Sequence, residues 1–267
     1  MKIILCYFSC TGNTKLACEY IAGVLKEHSV ELFDMTIKKS PDFTKYDLCG
    51  FAAFTDYYGP SKLFEDFMAS VPKGNWKRNA FVFNTHAGAS GKTLLLMRDY
   101  VYSRGYNVVA AASLTAPVNF PPQRVNPNDE TDINPNPEML EKFNKFISQL
   151  SSILEIQKKE EAVPECKIVL SEEEMNWPYC VRIASREDMG LKKTDEKLCT
   201  RCGVCVKKCP YAAIELKPYP VFNQKKCYGC WRCYNICPTK AIYTKKVKNN
   251  GHYPAPAEEY KKKLRIK

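Results

Sequence analysis

The sequence predicts an α/β fold, a five-stranded parallel sheet of order 2-1-3-4-5 with helices on both faces, followed by a small α+β unit. Three observations carry that prediction. Over residues 1–156, apolar runs of strand length alternate with apolar residues at helical spacing, the rhythm of parallel strands buried on both faces. The first run ends in a hydroxyl-rich loop that opens a helix, as in open α/β sheets that hold a ligand at their strand ends. Finally, eight of the 14 cysteines fall between residues 199 and 237, in two copies offset by 28 residues.

Residues 2–8 form an unbroken apolar run and read as the first, central strand. Leu16, Ala17, Tyr20, Ile21, Val24 and Leu25 then recur at helical spacing. Further strands are expected at residues 30–34, 46–54, 80–84 and 107–114, with helices near 62–70, 92–104 and 138–156. Between them, residues 115–137 form a long loop with six prolines, among them Pro121, Pro122 and Pro127. Such a loop inside a compact domain is usually functional or disordered. It leaves the last strand on the ligand side of the sheet, where it can lid the site or meet the second unit.

The loop after the first strand reads Ser9, Cys10, Thr11, Gly12, Asn13, Thr14. A helix N-terminus there aims backbone N–H groups and a dipole at an anion, and would lower the pKa of the Cys10 thiol. The pattern resembles the flavodoxin phosphate loop, Ser/Thr-x-Thr-Gly-x-Thr. The resemblance implies a flavodoxin-like fold in which these six residues hold the FMN phosphate. It further implies ring contacts from the loops after the third and fourth strands: Thr55, Tyr57, Tyr58 and Gly59, with Asn84, Thr85, His86, Ala87 and Gly88. Tyr57 or Tyr58 would stack on the ring and Gly59 would supply backbone freedom. A G-x-G-x-x-G fingerprint is absent from this loop. His86 to Thr93 ends like a nucleotide-binding P-loop, but His86 stands where its first glycine belongs.

Cys199, Cys202, Cys205 and Cys209 precede Pro210, and Cys227, Cys230, Cys233 and Cys237 precede Pro238. This is the bacterial two-cluster iron–sulfur run written twice, and in such runs the fourth cysteine ligates the other cluster. One [4Fe–4S] cluster is therefore expected on Cys199, Cys202, Cys205 and Cys237, the other on Cys227, Cys230, Cys233 and Cys209. Zinc usually takes well-separated C-x2-C pairs, often with His, and no His lies between Cys199 and Cys237. A disulfide framework would need an oxidising compartment. Residues 3–8 are too short for an export signal, so a cytoplasmic location is expected, and no run approaches a membrane span. Cys6, Cys18, Cys49, Cys166 and Cys180 lack cluster spacing and read as packing residues.

The formal net charge is +11. Residues 1–156 hold 16 Lys+Arg and 16 Asp+Glu, so the whole excess lies beyond them. Lys207, Lys208, Lys225, Lys226, Lys245, Lys246 and Lys248 surround the repeat and could steer acidic redox proteins, a reductase or an oxidase. No nucleic-acid fold accompanies them, so neither nucleic acid nor membrane is expected as a partner, while a homodimer is possible.

The whole chain resembles a flavodoxin-like domain fused to a two-cluster bacterial ferredoxin, as found in anaerobes. Expected boundaries are 1–156 for the FMN domain, 157–190 for a connector, 191–250 for the ferredoxin domain and 251–267 for a basic tail. The resemblance implies an electron-transfer protein. Two other readings stay open: a reductase of a small molecule, and a redox sensor or scaffold.

Overall fold

A computed structural model describes residues 1–37, 39–74, 78–126, 128–178 and 183–265. Pro127 and Cys180 lie outside the described residues. The parallel strands are β1 (Lys2–Tyr7), β2 (Ser29–Asp34) and β3 (Leu48–Asp56), then, after a two-residue strand β4 (Gly59–Pro60), β5 (Asn79–His86) and β6 (Asn107–Thr115). They pair in the order β2-β1-β3-β5-β6, with β4 folded back antiparallel on β3. Counting the parallel strands alone, this is the expected 2-1-3-4-5 order of a flavodoxin-like sheet.

Both faces of the sheet are covered, so β1 has no polar side. Ile3, Leu5 and Tyr7 enter the core beneath α1 (Asn13–Val24), while Ile4, Cys6 and Phe8 enter the opposite core. That second core takes Phe64, Phe67 and Met68 from α2 (Lys62–Ser70) and Met97 and Val101 from α3 (Thr93–Tyr102). Each such side chain contributes roughly 1.5–3 kcal/mol when fully buried. The long helix α4 (Pro137–Lys158) starts where Pro137 presets φ and the Asn136 side chain accepts from the Met139 N–H at 2.8 Å. It lays Phe143, Phe146, Ile147 and Leu150 on the α1 side.

Two short helices, α5 (Glu172–Asn176) and α6 (Ala184–Met189), lie in the connector. Strands β7 (Lys193–Thr194), β8 (Ile214–Leu216), β9 (Pro220–Phe222) and β10 (Ile242–Tyr243), with α7 (Val204–Lys207) and α8 (Arg232–Asn235), make the cysteine-rich unit. Its two antiparallel strand pairs, β8-β9 and β10-β7, repeat the sequence offset, because Ile214 pairs Phe222 as Ile242 pairs Thr194. The unit docks on the core beneath α2 and α3, which continues into it through Met189, Trp231, Tyr234 and Ile242.

Residues expected as a basic tail return to the first domain. Helix α9 (Glu258–Lys263) buries Tyr260, and Leu264 beyond it, in the α1 core. The charged residues of this segment are its exposed face, so their number hides two apolar anchors. Cys6, Cys18 and Cys49 are fully buried in the sheet and α1, as packing residues.

Candidate functional site

Beyond the C-terminal ends of β1, β3 and β5 lies a cavity of about 270 Å³. Ser9, Cys10, Asn13, Thr14, Thr55, Tyr57, Tyr58, Thr85, His86, Ala87 and Gly88 all line it. Four residues of the expected set do not: Thr11, Gly12, Gly59 and Asn84. Asn84 braces the strands instead, donating to Thr55 at 2.6 Å and accepting from Ser113 at 2.6 Å. Gly59 lies in β4 opposite Asp56.

The left-handed backbone falls one step earlier, at Tyr57 (φ 49°) and Tyr58 (φ 68°). Two-residue hairpin turns with both central φ positive favour Asn-Gly. Large aromatics there are strained outliers of the kind that cluster at functional sites. The strain is held from outside: the Tyr57 hydroxyl bonds Asp188, and the Tyr58 ring meets Trp177 at 4.3 Å, edge-on. Burial first, then the Asp188 carboxylate, pushes the Tyr57 pKa up.

At the other end of the cavity, Gly12 opens α1 in a left-handed conformation, and among the described residues no side chain caps that end. No acidic residue occupies the first turn. The open N–H groups, the neutral hydroxyls of Ser9 and Thr14 and the aromatic walls fit a ligand that joins a phosphate to a flat ring. Asn13 has a second task, because its amide donates to the Pro117 carbonyl at 3.0 Å and accepts from the Tyr253 hydroxyl at 2.8 Å. The His86 imidazole has its pKa lowered, chiefly by burial. The Cys10 thiol is raised rather than lowered, first by burial and then by its hydrogen bond to Cys230.

The eight cysteines gather in two groups. Cys199, Cys202, Cys205 and Cys237 line one small cavity, and the other three sulfurs add to the push of burial that raises the Cys205 pKa. Cys209 instead feels Cys230 and Cys227, and Cys233 feels Cys230, Cys227 and Cys209. The fourth cysteine of each copy thus stands with the other copy's first three.

These quartets differ in surroundings. In the first, Cys202 is exposed. In the second, Cys227, Cys230 and Cys233 are buried, the Cys10 thiol bonds Cys230, and the buried Lys192 Nζ donates to the Cys227 sulfur at 3.4 Å. Burial disfavours the Lys192 charge, but the Cys233, Cys227 and Cys230 sulfurs outweigh it and raise the pKa. We refer to these as the outer and inner quartets.

No spacing or motif in the sequence marks the residues that join cavity to inner quartet. Trp231, next to Cys230, lines the cavity and packs on Phe54 and Phe120 at 5.6 and 4.8 Å. Asn119, from the long proline-rich loop, donates to Thr11 at 2.7 Å, accepts from the Trp231 indole at 3.1 Å and, through its carbonyl, from Asn235 at 2.9 Å. The only local signal was the length of the loop. Among the described residues, no helix is long and apolar enough to cross a membrane.

Residues 198–241 match the family model described as a 4Fe-4S dicluster domain. No curated protein matches the chain. Among solved structures, oxidised flavodoxin 1 from Bacillus cereus is 21% identical over 57% of this chain and 98% of its own, with a TM-score of 0.43. A flavodoxin from the domain Archaea is 18% identical over 58% and 99%, with a TM-score of 0.44. Flavodoxin 2 from Bacillus cereus is 19% identical over 57% and 99%, with a TM-score of 0.45. Strand order gives the α/β half its flavodoxin-like fold; joined to a 4Fe-4S dicluster domain at residues 198–241, it makes a chain built for electron transfer.

Proposed function

We propose that the chain is a carrier of low-potential electrons between external redox proteins, with FMN in the cavity and a [4Fe–4S] cluster on each quartet. FMN exchanges electrons singly or in pairs and each cluster one at a time, so one chain can couple the two regimes. The observation that carries this reading is the shared wall: Trp231 lines the cavity beside Cys230, and Cys10 of the phosphate-type loop touches the same sulfur.

The chain's own residues hold and tune. The uncapped N–H groups of α1 with Ser9 and Thr14 would take the phosphate, and Tyr57, Tyr58 and Trp231 would flank the ring. The outer quartet is the natural docking point for an acidic redox protein, since Cys202 is exposed and Arg201, Lys207 and Lys208 are exposed beside it. Lys246 and Lys248 pair instead with Asp188 and Asp195. A second reading, reduction of a small molecule, is favoured by an open groove of about 790 Å³ that shares His86, Gly88, Ala89 and Trp177 with the cavity.

Anaerobic purification with iron, sulfide and flavin analysis tests the first reading. About eight irons and one FMN are expected, the content of two [4Fe–4S] sites and a flavin. Clusters without flavin would overturn the flavin half. Turnover of a small molecule by the reduced chain would favour the second reading.

A further inference from the structure

The 28-residue offset makes each position of one copy comparable with a position of the other. Lys192 precedes Cys227 as a residue of the inner surroundings, and its counterpart, 28 residues on, is Pro220. Both are buried, and they sit at equivalent places in the two strand pairs, Lys192 just before β7 and Pro220 opening β9. Pro220 lines the outer quartet's cavity. The repeat therefore sets an ammonium beside one quartet and an uncharged ring beside the other.

A buried ammonium is costly unless it faces compensating charge. Lys192 is 4% exposed, and its Nζ points at the Cys227 sulfur. We propose that Lys192 is a potential-setting residue, a fixed cation that eases reduction of the inner cluster and leaves the outer cluster unaffected. This rests on the reading of two cluster sites given above.

Adding an electron adds negative charge, which burial among Cys10, Trp231 and Tyr234 opposes and exposure at Cys202 tolerates. Reduction potentials of such clusters follow net charge, hydrogen bonds to sulfur and solvent exposure. Burial alone would thus make the inner cluster the harder one to reduce and strand electrons at the surface. A cation and an N–H···S bond on the inner side counter that gradient. Electrons entering at the outer quartet can then settle next to the cavity.

The test is an anaerobic redox titration of the full chain followed by paramagnetic resonance, comparing wild type with Lys192→Met. The inner signal is identified as the one lost in Cys209→Ser. In Lys192→Met the inner cluster's reduction equilibrium is expected to fall at least tenfold, 59 mV for one electron, with the outer unchanged. Two unmoved potentials, or two that shift together, overturn the proposal. If the variant retains only half the iron, Pro220→Lys decides: it should raise the outer potential alone, and no change there overturns the proposal. A wild type with fewer than two clusters would refute the cluster reading itself, which iron analysis reports separately.

Discussion

The two cysteine copies have almost the same local fold and different neighbours, and their sequence differences follow from those neighbours. Gly203 and Trp231 occupy equivalent positions, both left-handed, at φ 73° and 48°, at the N-terminal ends of α7 and α8. Glycine is the residue that backbone prefers. The inner copy carries Trp all the same, because its ring fills the space between Phe54 and Phe120. Arg201 and Gly229 reverse the pattern. A Cβ at Gly229 would lie 2.4 Å from the backbone N of Arg186 in α6, whereas Arg201 is exposed and adopts φ 57°. Lys207, exposed, corresponds to Asn235, buried and bonded to Asn119. One repeat thus became a docking face toward the first domain, and the other a basic surface.

The largest effect should come from removing the fourth cysteines one at a time. Cys209→Ser and Cys237→Ser should each leave about four of eight irons. Cys209→Ser should lose the buried cluster although it lies in the outer copy, and Cys237→Ser the exposed one. Paramagnetic resonance with an external broadening agent distinguishes them, and loss of the cluster within the mutated copy would break the crossed pairing.

Next comes Trp231→Gly. Removing a buried aromatic costs roughly 3–5 kcal/mol, and relief of the left-handed backbone returns about 1–2 kcal/mol. A net loss of about 3 kcal/mol in urea unfolding is expected, whereas a neutral result would mean the ring adds nothing to the docking face.

His252 stacks on Tyr234, an inner-copy residue whose outer counterpart is Val206, at 4.2 Å between ring centroids. Burial, and then Lys240, holds its pKa down to about 4 from 6.5. The folded state favours the neutral ring, so this stability is full above pH 6.5 and drains as pH falls toward 4. Between pH 7.5 and 5 the loss should reach up to about 2 kcal/mol, and His252→Phe should flatten it. Equal pH dependence in both proteins would dismiss the histidine.

Gly203→Ala should cost the least, about 1 kcal/mol from the left-handed backbone, because a Cβ there meets nothing within 4 Å.

How far the sequence was legible depended on how local each cause was. Strand β1 was readable because its apolar run is a local consequence of burial on both faces. Helix α2 spans the expected residues 62–70, with the Ser61 hydroxyl accepting from the Phe64 N–H at 3.4 Å. The phosphate-type loop was readable as a pattern of residue types. The Tyr57–Tyr58 turn was not, since every propensity argues against positive φ at tyrosine; contacts from Asp188 and Trp177, more than 100 residues away in sequence, hold it. Asn119, Tyr253 and Tyr260 were equally hidden, because a hydrogen bond across such separations leaves no period behind.

By itself the sequence determined the parallel sheet, the place of the phosphate-type loop and the eight cysteines, because each is written in spacing along one stretch of chain. Only the tertiary structure decided which quartet faces the cavity, where Trp231 and Lys192 point, and that the last helix returns to α1. Those choices depend on which surfaces meet, and the cysteine spacing that the two copies share does not say which of them a neighbour will bury.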